Sequence, residues 1–200
     1  MATVIPHPTV TRMTDQEFLD LAPEDRKAEL IDGEMIMASP ASTPHEEIFA
    51  FLQRTLGIYV REKNLGRVLG SRTAMRLSES EVYEPDILFV STARESIIQR
   101  TFIDGPADLV IEILSRSTAH FDRERKLMQC ALAGVREYWL LDPDLHIAEF
   151  YRLREARYER VPVGDDGIYR SEVVPGFWVR VEWLWLQPGP LAVARELGLI

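Results

Sequence analysis

The alternation of apolar and polar residues predicts two short elements at the start of the chain. Thr14 and Glu17 are spaced as in a capping box, which predicts a short helix that Pro23 ends. The apolar segments 29–31 and 34–37 flank Asp32-Gly33, the dipeptide that best suits a type I′ turn. Residues 28–38 are therefore predicted to form a β-hairpin.

A second capping pattern, from Thr43 to Glu46 with Pro44 at the first helical position, predicts a long helix that ends before Gly66. Its apolar residues recur at helical spacing and would form one face. They are Ile48, Phe51, Leu52, Leu56 and Tyr59.

The pattern then changes from helical to extended, with predicted strands at 67–77, 86–91 and 108–115. The last two are nearly continuous apolar runs, which are typical of strands buried on both faces. A predicted helix at 121–133, stopped by Gly134, leads to a further strand at 137–141. This order of strand, helix and strand implies a right-handed crossover and a parallel pair in the middle of the sheet.

Beyond Pro143, three alternating segments at 146–152, 158–163 and 168–174 suggest an antiparallel extension around a turn at 164–167. The aromatic tail is expected to pack across that extension or against a second copy of the chain. It contains Phe177, Trp178, Trp183 and Trp185. The pattern predicts an α/β fold with a mixed central sheet flanked by helices. We expect one domain over residues 1–200, with its core at about 28–143 and its C-terminal antiparallel β extension at about 144–190.

Composition narrows the class of protein. With 46% hydrophobic and 28% charged residues, the chain can bury a core and is not mainly disordered. Its net charge of −9 argues against a non-specific nucleic-acid coat, although it does not exclude a nuclease. Cys130 is the only cysteine, so no intrachain disulfide forms, and neither a signal peptide nor a long apolar run is visible. We expect a cytoplasmic protein with no membrane partner.

Glu112 is the most informative residue because it lies in the middle of an apolar strand. A buried carboxylate needs a cation or hydrogen-bond donors, so Glu112 is either part of a site, a buried salt bridge or an edge residue facing water. Asp86 follows Pro85 at the mouth of the preceding apolar strand. If the two strands are adjacent, both carboxylates lie at one end of the sheet, and paired carboxylates are ligands typical of Mg²⁺ or Mn²⁺.

Lys126 lies 14 residues after Glu112, on the predicted helix at the margin of its apolar face. A lysine there can bury its stem and place its ammonium over the strand ends, or it can be solvated and paired with Asp122 one turn earlier. The neighbouring charge run 123–126, together with Arg94 and Arg116, is a solvated face or a phosphate contact. Zinc-ligand spacing, a nucleophile elbow and phosphate-binding glycine loops are absent from the sequence.

An ordered set of motifs spans nearly the whole chain and resembles the Uma family of restriction-endonuclease-like proteins, within the PD-(D/E)XK nuclease superfamily. The motifs lie at 29–34, 44–45, 84–87, 110–118, 122–126 and 134–143. The resemblance implies a restriction-endonuclease-like core. Departures from the family pattern at Ala28, Cys130 and Arg116 affect the lining of the pocket and leave every implied ligand in place.

The resemblance also implies roles for individual residues. Asp86 and Glu112 would hold a divalent metal ion, Mg²⁺ or Mn²⁺, and Lys126 would be the catalytic lysine, displaced from the superfamily position that Leu114 occupies here. Glu29 would be a supporting acid, and His45, beside a helix N-terminus, would contact phosphate. Their structural alternatives are a salt bridge near a turn for Glu29 and helix capping for His45.

We therefore expect a metal-dependent endonuclease that hydrolyses phosphodiester bonds in DNA, in which Asp86 and Glu112 hold Mg²⁺ and Lys126 assists the attacking water. A homodimer is expected because cutting two strands takes two active sites. An alternative is a nuclease-fold protein with weak or no turnover that acts as a nucleic-acid-binding or assembly module. A third interpretation, glycoside hydrolysis by two carboxylates, leaves Lys126 without a role.

Overall fold

The strands of the protein form two large mixed sheets and one small sheet in a computed structural model that describes residues 12–23, 25–115 and 119–200. The strands are Ala28–Ile31 (β1), Glu34–Met37 (β2), Gly66–Gly70 (β3), Ala74–Ser78 (β4), Glu81–Tyr83 (β5), Ile87–Ser91 (β6), Phe102–Asp104 (β7), Leu109–Ile113 (β8), Glu137–Asp142 (β9), Ile147–Arg154 (β10), Arg157–Val161 (β11), Ile168–Arg170 (β12) and Trp178–Arg180 (β13). One sheet has the order β2-β1-β5-β4-β7, the second β11-β10-β9-β8-β6-β3, and β12 pairs with β13.

The helices lie between and after these strands. They are Asp15–Leu21 (α1), Thr43–Glu62 (α2), Ala119–Phe121 (α3), Leu127–Ala133 (α4), Trp183–Leu186 (α5) and Pro190–Glu196 (α6), with a 3-10 helix at Thr92–Ile97 and a π-helical turn at Asp122–Lys126 between α3 and α4. Within the described ranges, no helix combines the length and the apolar character needed to cross a bilayer.

The six-stranded sheet lies between two apolar layers because its central strands alternate their side chains between its faces. On one face, Phe89 of β6 and Trp139 of β9 join the apolar face of α2 and the C-terminal segment. On the other face, Leu88 and Val110 pack with residues of the five-stranded sheet and α4. The three central strands β6, β8 and β9 are therefore buried on both sides, as the continuous apolar runs of β6 and β8 predict.

Most predicted elements are confirmed. Thr14 caps α1 through a reciprocal contact with Glu17. Asp32 and Gly33 both have positive φ, as the type I′ turn between β1 and β2 requires. Strands β8 and β9 are parallel, and α4 ends at Gly134 with a left-handed φ of 97°.

Two local predictions are wrong. The predicted strand 67–77 is two strands, β3 and β4, which belong to different sheets because the chain turns at Arg72 with a φ of 79°. The N-cap of α2 is Ser42 and not Thr43, since the Ser42 hydroxyl accepts from the backbone of His45. The predicted C-terminal antiparallel extension is confirmed: β10 and β11 pair antiparallel and continue the central sheet, and β12 pairs antiparallel with β13.

The aromatic tail packs within the same chain. Phe177 meets the ring of Tyr59 on α2 edge-on, with ring centroids 5.2 Å apart. Trp183 is buried in the same apolar layer, and Trp185 stacks on the ring of His146. These contacts tie the C-terminal segment to α2 and to the end of the central sheet.

Candidate active site

The candidate site lies where the chain crosses from one large sheet to the other. Asp86 stands between β5 of the five-stranded sheet and β6 of the six-stranded sheet. Because β6 and β8 are antiparallel neighbours, the start of β6 lies beside the end of β8, which carries Glu112. The backbone N–H of Ile113 donates to Asp86 Oδ2 at 2.8 Å. The two predicted carboxylates therefore meet at one end of the sheet, as the adjacency argument required.

Lys126 lies among three carboxylates. Its Nζ is 2.6 Å from Glu112 Oε1, 2.8 Å from Asp122 Oδ1, and 2.9 and 3.1 Å from the two oxygens of Glu29. Glu29 is fixed in turn, since its Oε1 accepts from the backbone N–H of Glu84 at 2.9 Å. Lys126 thus links β1, β8 and the π-helical turn.

The π-helical turn brings Asp122 and Lys126 into the site together. Both side chains are buried, and their spacing of four residues places them on one side of the helical segment. Such wider turns are frequent at functional sites. The interpretation of Lys126 as a solvated lysine is wrong, although its predicted contact with Asp122 exists.

Asp86 is held by three donors on its two oxygens. Lys27 Nζ lies 2.9 Å from Oδ1, and His45 Nε2 lies 3.3 Å from Oδ2, which also accepts from Ile113. His45 reaches Asp86 from the first turn of α2, while Ser42 is the N-cap, so the interpretation of His45 as the capping residue is wrong. Glu29 is in mid-strand and forms its salt bridge inside the site, not near the turn.

Burial and charge shift the pKa values of these groups in opposite directions. Desolvation raises the pKa of Asp86, but Lys27 and His45 outweigh it and hold that pKa well below its usual range. Burial raises the pKa of Glu112 to about 8, with Asp122 and Asp86 adding to the rise and Lys126 opposing it. Desolvation lowers the pKa of Lys126, but the neighbouring carboxylates raise it well above its usual value, so Lys126 stays charged.

These side chains line a cleft of about 460 Å³. The charged groups at its base are Lys27, Glu29, Asp86, Glu112, Asp122 and Lys126. With every group ionised, four carboxylates would face two ammonium groups and leave two negative charges in excess in a site largely shielded from water. Burial and the neighbouring carboxylates therefore raise the pKa of Glu112. Burying uncompensated charge is costly, so this base favours a cation.

A divalent metal ion fits this donor set. Among the residues that the structure describes, no three His, Cys, Asp or Glu side chains are arranged as a metal-binding group. Mg²⁺ needs no such group, since it binds through one or two carboxylates together with water and phosphate oxygens. Asp86 and Glu112 are carboxylates of this kind, and one divalent ion would balance the excess charge at the base of the cleft.

The environments of Glu112 and of the nearby arginines test several of the sequence-based expectations. Glu112 lies in an internal strand and pairs with Lys126, so the alternative of an edge residue facing water is wrong. The arginines considered as phosphate contacts are paired with carboxylates: Arg94 with Asp108, Arg123 with Asp142 and Glu149, and Arg125 with Asp32 and Glu81. Arg116 and the motif residues Ser117 and Thr118 lie outside the described residues.

Two residues of the cleft were missed by sequence reasoning as site residues. Lys27 immediately precedes β1 and lies two positions before Glu29. Because the pairing of β1 with β2 extends to the Lys27 carbonyl, the alternation of strand side chains places both residues on one face. Asp122 was considered only as a surface partner of Lys126. The sequence signal that could have identified them is their spacing: Lys27 lies two positions from Glu29, and Asp122 lies four positions from Lys126.

Comparison with known proteins places this chain in a family. The chain is 26% identical over 147 residues to the uncharacterized protein sll1609 of Synechocystis sp. (strain PCC 6803), a match that covers 72% of this chain and 82% of that protein. Its fold is similar to the crystal structure of a putative nuclease of DUF820 from Anabaena variabilis, with a TM-score of 0.73 at 20% identity, covering 87% of this chain and 98% of the other. The family profile described as "Uma2: Putative restriction endonuclease" matches residues 15–182. Because that match spans most of the chain, the protein belongs to the Uma2 family.

Proposed function

We propose that this protein is an endonuclease that hydrolyses phosphodiester bonds in DNA, with Mg²⁺ or Mn²⁺ held by Asp86 and Glu112. One observation carries the proposal: four carboxylates, Asp86 and Glu112 among them, converge with two ammonium groups at the base of a single cleft, so that negative charge is in excess when all are ionised. The description of the family and of its crystallised relative as nucleases supports the choice of reaction.

The metal ion, when bound, supplies positive charge that polarises the scissile phosphate and lowers the pKa of a coordinated water. Hydrolysis adds the hydroxyl of a water molecule to phosphorus and a proton to the leaving oxygen. Asp86 is suited to hold a cation because it stays ionised and because His45 and Ile113 fix one of its oxygens. Lys126 assists the attacking water indirectly, because its ammonium fixes the carboxylate of Glu112.

Glu29 and His45 have supporting roles in this scheme. Glu29 holds the ammonium of Lys126 from β1 of the five-stranded sheet, and its own orientation is fixed by a backbone N–H. His45 presents its ring to Asp86 at the edge of the cleft, near the N-terminus of α2, where an anion is stabilised. We further propose that the protein acts in the cytoplasm as a homodimer, since cutting both strands of a duplex takes two active sites.

The test is cleavage of plasmid and single-stranded DNA in Mn²⁺ by the wild type and by the Glu112→Gln variant, which keeps the size of the side chain. We expect metal-dependent cleavage that falls by at least about 100-fold in the variant. Glu124→Gln is the matched control, because Glu124 is an exposed glutamate on the neighbouring helical segment. Metal-independent cleavage, or equal cleavage by the wild type and the Glu112 variant, would overturn the proposal.

A second candidate is a nuclease-fold protein that binds nucleic acid or assembles without turnover. The observation in its favour is electrostatic: the chain has a net charge of −9, and Arg94, Arg123 and Arg125 are each occupied by carboxylates. A cutter of long duplex DNA would be expected to carry a basic groove. DNA binding without cleavage in either Mg²⁺ or Mn²⁺ would favour this candidate.

A further inference from the structure

The two lysines of the cleft stand out because lysine is rare in this chain. It has three lysines, Lys27, Lys63 and Lys126, among 23 basic residues. Two of the three line the same cleft. A lysine ammonium is a compact charge on a flexible four-carbon stem, so it can exchange one oxygen partner for another more readily than the planar fork of an arginine.

Lys126 and Lys27 differ in how many of their donors the protein uses. An ammonium has three N–H donors. The ammonium of Lys126 is within 3.1 Å of three carboxylates, and its side chain is 2% exposed. Lys27 is 20% exposed, and within the described ranges Asp86 is the one carboxylate at ion-pair distance from it. Two donors of Lys27 therefore remain for a molecule that enters the cleft.

The surroundings of Lys27 allow its ammonium to move while its backbone stays in place. Its carbonyl accepts from the backbone N–H of Ala38 at 3.0 Å, which extends the pairing of β1 with β2 and fixes the main chain. Asp86 keeps His45 and Ile113 on Oδ2 if Lys27 leaves Oδ1. The contact between Lys27 and Asp86 can therefore be exchanged without leaving Asp86 unpartnered.

We infer that Lys27 binds a non-bridging phosphate oxygen of the nucleic acid, whereas Lys126 remains with its three carboxylates and keeps them in position. This inference rests on the proposed function and assigns the two ammonium groups different tasks at the same site. When a phosphate enters, Lys27 exchanges Asp86 Oδ1 for a phosphate oxygen. That exchange frees a carboxylate oxygen for a cation and provides a positive charge for the substrate.

The test compares Lys27→Met and Lys27→Arg with Lys63→Met as the matched control. Lys63 is exposed at the C-terminal end of α2, which is 20 residues long, while the cleft is at its other end. Binding of labelled single-stranded and duplex oligonucleotides is followed by fluorescence anisotropy in Ca²⁺, over a range of salt concentrations. Mn²⁺ affinity is measured by calorimetry on the same proteins, without nucleic acid.

We expect Lys27→Met to weaken oligonucleotide binding about tenfold and to reduce the slope of log affinity against log salt by about one. Its Mn²⁺ affinity should be equal to or higher than that of the wild type, because a competitor for Asp86 is gone. Lys27→Arg should bind within about threefold of the wild type, and Lys63→Met should match it. Unchanged binding and salt slope in Lys27→Met would overturn the inference, as would a loss confined to Mn²⁺ affinity.

The inference and the proposed function fail in different ways. If the wild type cleaves DNA in Mn²⁺ but Lys27→Met binds and cleaves as well as the wild type, the inference is wrong and the proposed function stands. If the wild type does not cleave but Lys27→Met still loses oligonucleotide binding, the cleft binds phosphate through Lys27 without hydrolysis. In that case the inference stands and the proposed reaction is wrong.

Discussion

Replacing Lys126 by methionine tests whether the base of the cleft is held together by charge. Methionine has a similar length and no charge, so Lys126→Met keeps most of the packing and removes the cation. In the folded protein, the carboxylates of Glu29, Glu112 and Asp122 would then face one another in a site shielded from water. The free energy of unfolding should fall, because those groups can be solvated separately only when the chain is unfolded.

The expected magnitude follows from the burial of all four groups. Removing one partner of a buried ion pair costs about 3–5 kcal/mol. For a chain of this size, each kcal/mol lowers the melting midpoint by about 2–4 °C, so the midpoint should fall by roughly 6–20 °C. These values apply near pH 7, where Lys126 is charged in the wild type.

The loss should also depend on pH, with a definite sign. Burial raises the pKa of Glu112 and Lys126 opposes that rise, so the pKa of Glu112 increases further in Lys126→Met. A carboxyl group whose pKa is higher in the folded than in the unfolded state stabilises the fold at low pH, and this stability is lost as the pH rises through the folded pKa. The deficit of Lys126→Met should therefore be larger at about pH 9 than at about pH 5.

Urea denaturation followed by circular dichroism measures the effect, with linear extrapolation at each pH. The double variant Glu29→Gln with Lys126→Met provides an internal control, because it removes one of the opposing carboxylates. It should recover at least about 1 kcal/mol relative to Lys126→Met alone. A Lys126→Met protein within about 1 kcal/mol of the wild type at every pH would refute the reasoning, since it would show that these charges are compensated by other means.

Two further predictions concern the framework around the site. Burial raises the pKa of Asp108, but donors that include Arg94 outweigh it and hold that pKa below its usual value. The Asp108→Asn substitution should therefore destabilise the protein by about 2–4 kcal/mol at pH 7. The Asp108 carboxylate stabilises the fold above the pKa that it has in the unfolded chain, and this stability is lost as the pH falls through its pKa in the folded protein. Urea denaturation should therefore show that Asp108→Asn lowers the free energy of unfolding less near pH 3 than near pH 7. Gly66→Ala should destabilise by at least about 3 kcal/mol, because a Cβ there would lie 2.1 Å from a backbone oxygen of β6, whereas Gly134→Ala, with positive φ but open space, should cost about 1 kcal/mol. Equal melting midpoints for these two glycine variants would contradict that comparison.

The elements that could be predicted from sequence are those whose determinants are local. The turn at Asp32-Gly33 and the left-handed cap at Gly134 follow from residues that tolerate positive φ. The buried strands β6 and β8 follow from their continuous apolar runs. The break between β3 and β4 could not be predicted in this way, because an arginine at positive φ carries no turn signal. Its conformation depends on the two sheets that the adjoining strands enter.

In the candidate site too, local sequence features reveal some residues, whereas the partners of those residues depend on the fold. Asp86 and Glu112 were recognisable because a carboxylate beside or inside an apolar strand needs compensation. The identity of the compensating cations was not local: Lys27 meets Asp86 across 59 positions, and Lys126 meets Glu29 across 97. Long-range pairs of this kind depend on how the two sheets are joined, which the spacing of charges along the chain does not specify.

The junction between the sheets explains why stability and site chemistry are coupled in this protein. Glu29 belongs to the five-stranded sheet and Glu112 to the six-stranded sheet, and Lys126 contacts both. Asp86 lies in the segment that passes from one sheet to the other, and its oxygens receive donors from the segment before β1, from α2 and from β8. The ion pairs of Lys126 with Glu29 and with Glu112 therefore also join the two sheets through the π-helical turn. A substitution that removes a cation from this base should loosen the junction as well as alter the cleft, so binding or cleavage by such variants must be compared at temperatures well below their own melting midpoints.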